Sequence, residues 1–254
     1  MTLDLIAMHG WAGDQRAWEP WRQAAASRGW SLQTGERGYG RQAAPHAPRW
    51  PGEGGAVLVH SLGLHLLPAE LWSQARAVVL LASFSSFVPQ GPSGRRTRAA
   101  LGAMARRIHQ GELAPLLDEF LARAAAPARL DQLPLGVTQE GSDAAGVTRL
   151  LDDLALLGRC DGLPQAFPRS VPVLIVEAGA DAIVPTTSRA LLRQALPQAE
   201  SWTLEGIGHN LLGPPLQGPP LIGPVFDWIE QCLVGPGPGA KLHQKARPAS
   251  RAHG

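Results

Sequence analysis

Short, nearly unbroken apolar runs separated by amphipathic stretches set the organisation of this chain. Leu3 to Met8 is one such run. It ends at His9-Gly10-Trp11, as a buried strand followed by a glycine turn would. Residues 15–28 are Ala-rich, carry Trp18 and Trp21, and predict a helix; Ser31 to Thr34 predicts a second strand. Glu36 to Arg41 is a glycine loop, and the proline-rich residues 43–55 predict a long connection. Ala56 to His60 predicts a third buried strand, Leu62 to Ser73 a helix, and Ala77 to Ala82 a fourth strand. Apolar strands alternating with helices predict a parallel sheet covered on both faces.

The pattern changes near residue 88. From there to about 167 the periodicity is helical and no strand is predicted. Leu101, Met104, Ala105 and Ile108 share one face; Leu113, Leu116, Leu117, Phe120 and Leu121 follow, and then Leu150, Leu151, Leu154 and Leu157. Strands resume with Val171 to Glu177, followed by a helix at 186–196, a strand at 200–204 and a helix near 221–233. Residues 235–254 open with Gly-Pro-Gly-Pro-Gly and predict a disordered tail. The predicted class is α/β: a mostly parallel sheet with helices on both faces, built from residues 1–87 and 168–234 and interrupted by an all-helical cap at 88–167.

Composition narrows the functions that fit. A chain of 254 residues with 44% hydrophobic and 17% charged residues can bury one sizeable core. No apolar run approaches ~20 residues, so no membrane span is predicted. Met1 to Asp4 lacks a basic leader, so no signal peptide is expected. Two cysteines, Cys160 and Cys232, are too few for a disulfide scaffold or a Cys-based zinc module, and a cytoplasmic location is expected. The net charge is +2, but Lys241, Lys245, Arg247 and Arg251 all lie in the tail. Without those four cations the body stands near −2, which argues against nucleic acid as the main partner. No metal-ligand spacing is present.

The candidate chemistry starts at Val57-Leu58-Val59-His60-Ser61-Leu62-Gly63, where a buried strand runs into a serine and then a helix. That is the context of a nucleophile elbow, in which a sharp turn lifts the hydroxyl out of the sheet. The helix start behind it offers N–H groups to a developing oxyanion. Gly63 keeps the small-residue rule of this turn. Val59 departs from it, and would alone favour a non-catalytic protein of the same fold. Asp181 follows the strand at 171–177, and His209 sits in the loop Glu205-Gly206-Ile207-Gly208-His209 after the strand at 200–204. A serine, an acid and a histidine at successive strand ends suit nucleophile, orienting carboxylate and general base.

With these residues the chain resembles the α/β-hydrolase superfamily over about residues 3–233, in the chain order Ser61, Asp181, His209. More narrowly it is similar to the carboxylesterases of biotin synthesis that cleave pimeloyl-[acyl-carrier protein] methyl ester. The matching residues are His9-Gly10-Trp11, the loop Glu36 to Arg41, Ser61-Leu62-Gly63, Ser83 after the fourth strand, Leu154, Leu157 and Asp161, Val171-Pro172, and Asp181 with Val184-Pro185. The proline-rich interval between Gly40 and Val57 departs from that family, where a helix is usual. The resemblance implies a serine esterase without cofactor or metal, with the N–H groups of Trp11 and Leu62 as the oxyanion hole. It implies an acyl-chain pocket drawing on Trp11, Phe84 and Phe87. It also implies an acyl-carrier protein as partner; such proteins are acidic, and the cluster Arg95, Arg96, Arg98, Arg106 and Arg107 of the first cap helix reads either as their docking face or as a solvated basic face. Nine arginines and nine acids across 88–167 make the cap as a whole electrically balanced. No nucleic-acid or membrane partner is expected, and the expected state is a monomer. A general short-chain carboxylesterase, lactonase or thioesterase is the alternative.

Overall fold

The computed structural model describes residues 2–41, 44–129, 140–213 and 221–235. Six strands form one sheet: β1 (Asp4–Met8), β2 (Ser31–Thr34), β3 (Gly55–His60), β4 (Ala75–Leu81), β5 (Val173–Ala178) and β6 (Glu200–Leu204). Their order is β2-β1-β3-β4-β5-β6 and every pair is parallel, with Ile6 beside Val57 and Val57 beside Val78. From β1 the chain winds one way to β2 and then the other way to β3. That reversal is a topological switch point, and ligands of open α/β sheets bind beyond the strand ends there. The central strands β3 and β5 are buried along their whole length, whereas β6 lies at the edge and is largely exposed.

Both faces of the sheet are covered. On one face Leu5, Leu58, Val79 and Val176 pack with Trp18 and Trp21 of the first helical segment and with Phe226 and Trp228. That segment is a 3-10 turn (Gln15–Trp18) continuing as helix α1 (Glu19–Ser27), and it starts where the Asp14 side chain accepts from the Arg16 N–H. On the other face Ile6, Val57, Val59, Leu80 and Ile175 pack with Leu64, Trp72 and Leu192. Burying a large apolar side chain such as these contributes about 1.5–3 kcal/mol each.

The helix expected over Leu62 to Ser73 is broken. Helix α2 covers only Gly63–Leu66, and a 3-10 helix follows at Ala69–Gln74. Pro68 is the cause: it forces Leu67 out of the helical region, to φ −71 and ψ 128, and offers no N–H to continue the ladder.

Between β4 and β5 the chain forms α3 (Gly91–His109), α4 (Leu113–Ala125) and α5 (Ala144–Arg159), and after β5 come α6 (Thr186–Ala195) and α7 (Ile222–Val234). Asp143 caps α5 by accepting from the Gly146 N–H. The three helices α3 to α5 form a roof over the strand ends. Their apolar stripes meet Trp11, Leu62 and Phe87 from below with Leu101, Leu116, Leu150 and Leu154 from above. Residues 130–139 of the expected cap, and all of the expected tail beyond Gly235, lie outside the described residues.

Candidate active site

Ser61 follows the last residue of β3 and takes φ +54, the left-handed region that costs a non-glycine residue of order 1–3 kcal/mol. Its N–H donates to the Leu81 carbonyl at 2.9 Å, so the next strand holds the turn in place. Two glycines permit the geometry by close approach. A Cβ on Gly63 would come within 2.4 Å of the Met8 carbonyl oxygen, and one on Gly10 within 2.8 Å of the Ser61 Cβ. Val59, the departure from the usual elbow, is fully buried among Met8, Leu64 and Leu80 and leaves the serine turn intact.

Asp181 and His209 come to Ser61 on two loops that are tied together. The Gly179 N–H donates to the Leu204 carbonyl and the Ala180 N–H to the Ile207 carbonyl, each at 2.9 Å. His209 Nε2 lies 3.0 Å from Ser61 Oγ, and His209 Nδ1 lies 2.9 Å from Asp181 Oδ2. The other Asp181 oxygen accepts from the Ile183 and Val184 N–H groups at 2.8 and 2.9 Å. Burial alone raises the Asp181 carboxyl pKa. The hydrogen bond and charge of His209, with those two N–H donors, outweigh it and hold the group below the usual carboxylate range. An ionised Asp181 keeps the proton on Nδ1 and leaves Nε2 free to accept from Ser61.

Beside Ser61 Oγ lie the ends of β1 and α2. The backbone N–H groups of Trp11 and Leu62 donate to no described residue. Buried N–H groups are rarely left without a partner, so a pair of them flanking a serine suits an oxygen supplied from outside. His9 shapes the turn that presents Trp11. Its Nδ1 bonds the Gly10 carbonyl at 2.9 Å, and its Nε2 accepts from the Arg37 N–H at 3.1 Å.

Residues outside the sequence-derived set complete the site. His60 Nε2 donates to the His209 carbonyl at 3.0 Å, and the two rings lie 5.0 Å apart. Burial, and then the nearby His209, push the His60 pKa down to about 3, so this ring is a neutral prop for the His209 loop. Asp153, buried in α5, accepts from Arg37 Nε and Nη2 at 2.7 and 2.8 Å and from the Tyr39 hydroxyl at 2.6 Å. Trp11 Nε1 donates to the Leu150 carbonyl at 3.0 Å, and the Asn210 N–H donates to the Ala124 carbonyl at 3.1 Å. The roof is therefore fastened to the loops that carry the site. Asp153 could have been found in the sequence, because an acid on the stripe of Leu150, Leu154 and Leu157 must be partnered to be buried.

Two cavities open at Ser61. One, of about 80 Å³, is lined by Trp11, His60, Ser61, Phe120 and His209 among others. The other, of about 390 Å³, runs under α3 and α4 past Trp11, Phe87, Leu101, Phe120 and Leu157. Of the three residues expected for an acyl pocket, Trp11 and Phe87 line this cavity. Phe84 does not: it is fully buried, its ring stacked on His65 at 5.5 Å and edge-on to Phe87, and it lines neither cavity. The five basic residues of α3 do not share a face either. At about 100° per residue, Arg95, Arg98 and Arg106 lie together on one exposed side. Arg96 instead lines the larger cavity, and Arg107 is held by Glu112 and Glu119 at 2.9 and 2.7 Å. Among the described residues no cluster of side chains could hold a metal ion, and no helix is long and apolar enough to cross a membrane.

No protein-family model and no curated protein matches the chain. Solved structures do. An esterase from Exiguobacterium antarcticum is 12% identical, with 90% of each chain covered and a TM-score of 0.64. An enol-lactonase from Burkholderia xenovorans is 14% identical, over 91% of this chain and 90% of the other, with a TM-score of 0.61. A bromoperoxidase from Bacillus anthracis is 18% identical, over 83% and 86%, with a TM-score of 0.59. The chain has the α/β-hydrolase fold.

Proposed function

We propose that this protein is a serine hydrolase of carboxylic esters. The observation that carries the reading is the continuous relay Ser61–His209–Asp181, with the unspent N–H groups of Trp11 and Leu62 beside the serine hydroxyl. In the first half-reaction His209 Nε2 takes the Ser61 proton as Oγ adds to the ester carbonyl, and Trp11 and Leu62 donate to the oxyanion. Collapse breaks the bond to the alcohol, which leaves with the proton from His209. Water then adds to the acyl-enzyme by the same base, releasing the acid and restoring Ser61.

The narrower reading is the methyl ester of pimeloyl-[acyl-carrier protein], with methanol as the leaving alcohol. It is supported by the sequence resemblance, by the apolar cavity under α3 and α4, and by Arg95, Arg98 and Arg106 on an exposed face suited to an acidic carrier protein. The test is complementation of a bacterium lacking its pimeloyl methyl ester esterase, on biotin-free medium, beside a Ser61→Ala control. Growth with the unaltered chain alone is expected. A soluble protein that reacts with a fluorophosphonate probe yet supports no growth would move the reading to a general carboxylesterase, lactonase or thioesterase.

A further inference from the structure

The larger cavity at Ser61 is apolar along most of its wall, and two exposed arginines, Arg96 from α3 and Arg123 from α4, also line it. Elsewhere the fold pairs arginines where it uses them as fasteners: Arg37 with Asp153, and Arg107 with Glu112 and Glu119. Among the described residues the two cavity arginines have no such partner. Arg96 makes no hydrogen bond or ion pair with any described residue, and Arg123 reaches only the Ala182 carbonyl, at 3.4 Å. Among the described residues the one carboxylate lining the cavity is Asp181, and both its oxygens are already taken by His209, Ile183 and Val184. Rotation about α3 separates Arg96 from its basic neighbours. Arg95, Arg98 and Arg106 look outward, while Arg96 joins Thr97, Ala100 and Leu101 on the wall. A volume of about 390 Å³ suits a small molecule or a short acyl chain.

We propose that this cavity selects esters whose acyl chain ends in an anionic group, with Arg96 and Arg123 as the residues that determine that specificity. The inference rests on the reading of Ser61 as the nucleophile of an esterase. The apolar wall takes the methylene chain, the scissile carbonyl sits at Ser61, and the anion meets the guanidinium pair at the rim. Arginine's planar fork matches a carboxylate or a phosphate. The anion therefore has two sources: the free carboxylate of a dicarboxylic half ester, or the phosphate of a phosphopantetheine arm.

The test compares kcat/KM at low ionic strength for paired substrates differing in one anionic group. In the first arm, mono-p-nitrophenyl adipate is set against its methyl-capped, neutral counterpart. In the second, methyl adipoyl phosphopantetheine, read at its methyl ester, is set against methyl adipoyl pantetheine. A preference of about ten-fold for the anion is expected in at least one arm, the size of one charge-assisted hydrogen bond. The arm that shows it names the source. In an Arg96→Gln, Arg123→Gln double variant the ratio should fall toward one. The corresponding double lysine variant should recover part of it, and added salt should shrink it. A ratio of one in both arms, in a protein that turns over the neutral ester, overturns the proposal and leaves the esterase reading standing. A protein that cleaves no ester and resists the fluorophosphonate sinks the esterase reading instead. Calorimetry with monomethyl adipate and dimethyl adipate then decides the anion site. Arginine-dependent preference for the monoanion supports it, and equal or absent binding overturns it.

Discussion

Beneath the cavity, Ser61, Asp181 and His209 stand at the ends of β3, β5 and β6 and are placed by backbone: a left-handed turn, a glycine against Met8, and carbonyl-to-amide bonds between neighbouring loops. Above it, the roof is placed by side chains, chiefly Arg37, Tyr39 and Trp11 reaching up to Asp153 and Leu150 of α5. The same cavity is thus bounded by two kinds of construction. Backbone geometry tolerates exchange of a side chain, so substitutions in the floor should cost chemistry and spare stability. A buried polar clamp loses its balance when one member goes, so substitutions in the roof should cost stability first.

The largest effects should come from the floor. Ser61→Ala should lower ester turnover by roughly 10⁶-fold and Asp181→Asn by roughly 10⁴-fold, with little change in melting temperature. Steady-state kinetics beside thermal denaturation checks this. A Ser61→Ala protein that melts far lower would break the comparison.

Asp153→Ala carries the same contrast into the roof. It leaves the Tyr39 hydroxyl and the Arg37 guanidinium without their acceptor. Because Arg37 is still about one-third exposed, the loss should fall toward the low end of ~3–5 kcal/mol. Urea denaturation reads it. Trp11→Phe, which removes the bond to the Leu150 carbonyl and part of the ring packed on Phe120, should cost at least about 1 kcal/mol by the same measurement.

Acid should expose His60 as part of the floor. In the folded protein its ring stays neutral down to about 3, whereas in the unfolded chain it takes up a proton below its ordinary value of about 6.5. Between those limits the unfolded state binds more protons, so stability rises with pH and is lost as pH falls through that window. The melting temperature should therefore drop from pH 6.5 toward pH 4. His60→Asn, which keeps a donor but cannot titrate, should flatten that slope. The smallest effect belongs to the outer face of α3. Arg98→Gln should change stability by no more than ~0.5 kcal/mol, because the side chain is exposed and ties nothing down.

Much of the floor was legible along the chain. Apolar runs of strand length end at His9, His60 and Ala178, and a strand's burial on both faces is written into its own consecutive residues. The single helix expected over 62–73 is broken because Pro68 acts locally, holding Leu67 in an extended conformation. Only the family resemblance put Phe84 in the acyl pocket. Its ring turns instead onto His65, a choice made by packing between α2 and the loop after β4.

By itself the sequence determined the parallel α/β core, the helical interruption after β4, and the order of Ser61, Asp181 and His209 at three strand ends. Those features follow from period and turn chemistry, which act over a few neighbouring residues. Only the tertiary structure decided which of five closely spaced arginines faces the cavity, which acid of α5 closes a clamp on Arg37 and Tyr39, and that His60 props the His209 loop. Each depends on how one element is rotated against another more than twenty residues away, a relation set by packing and invisible to local pattern.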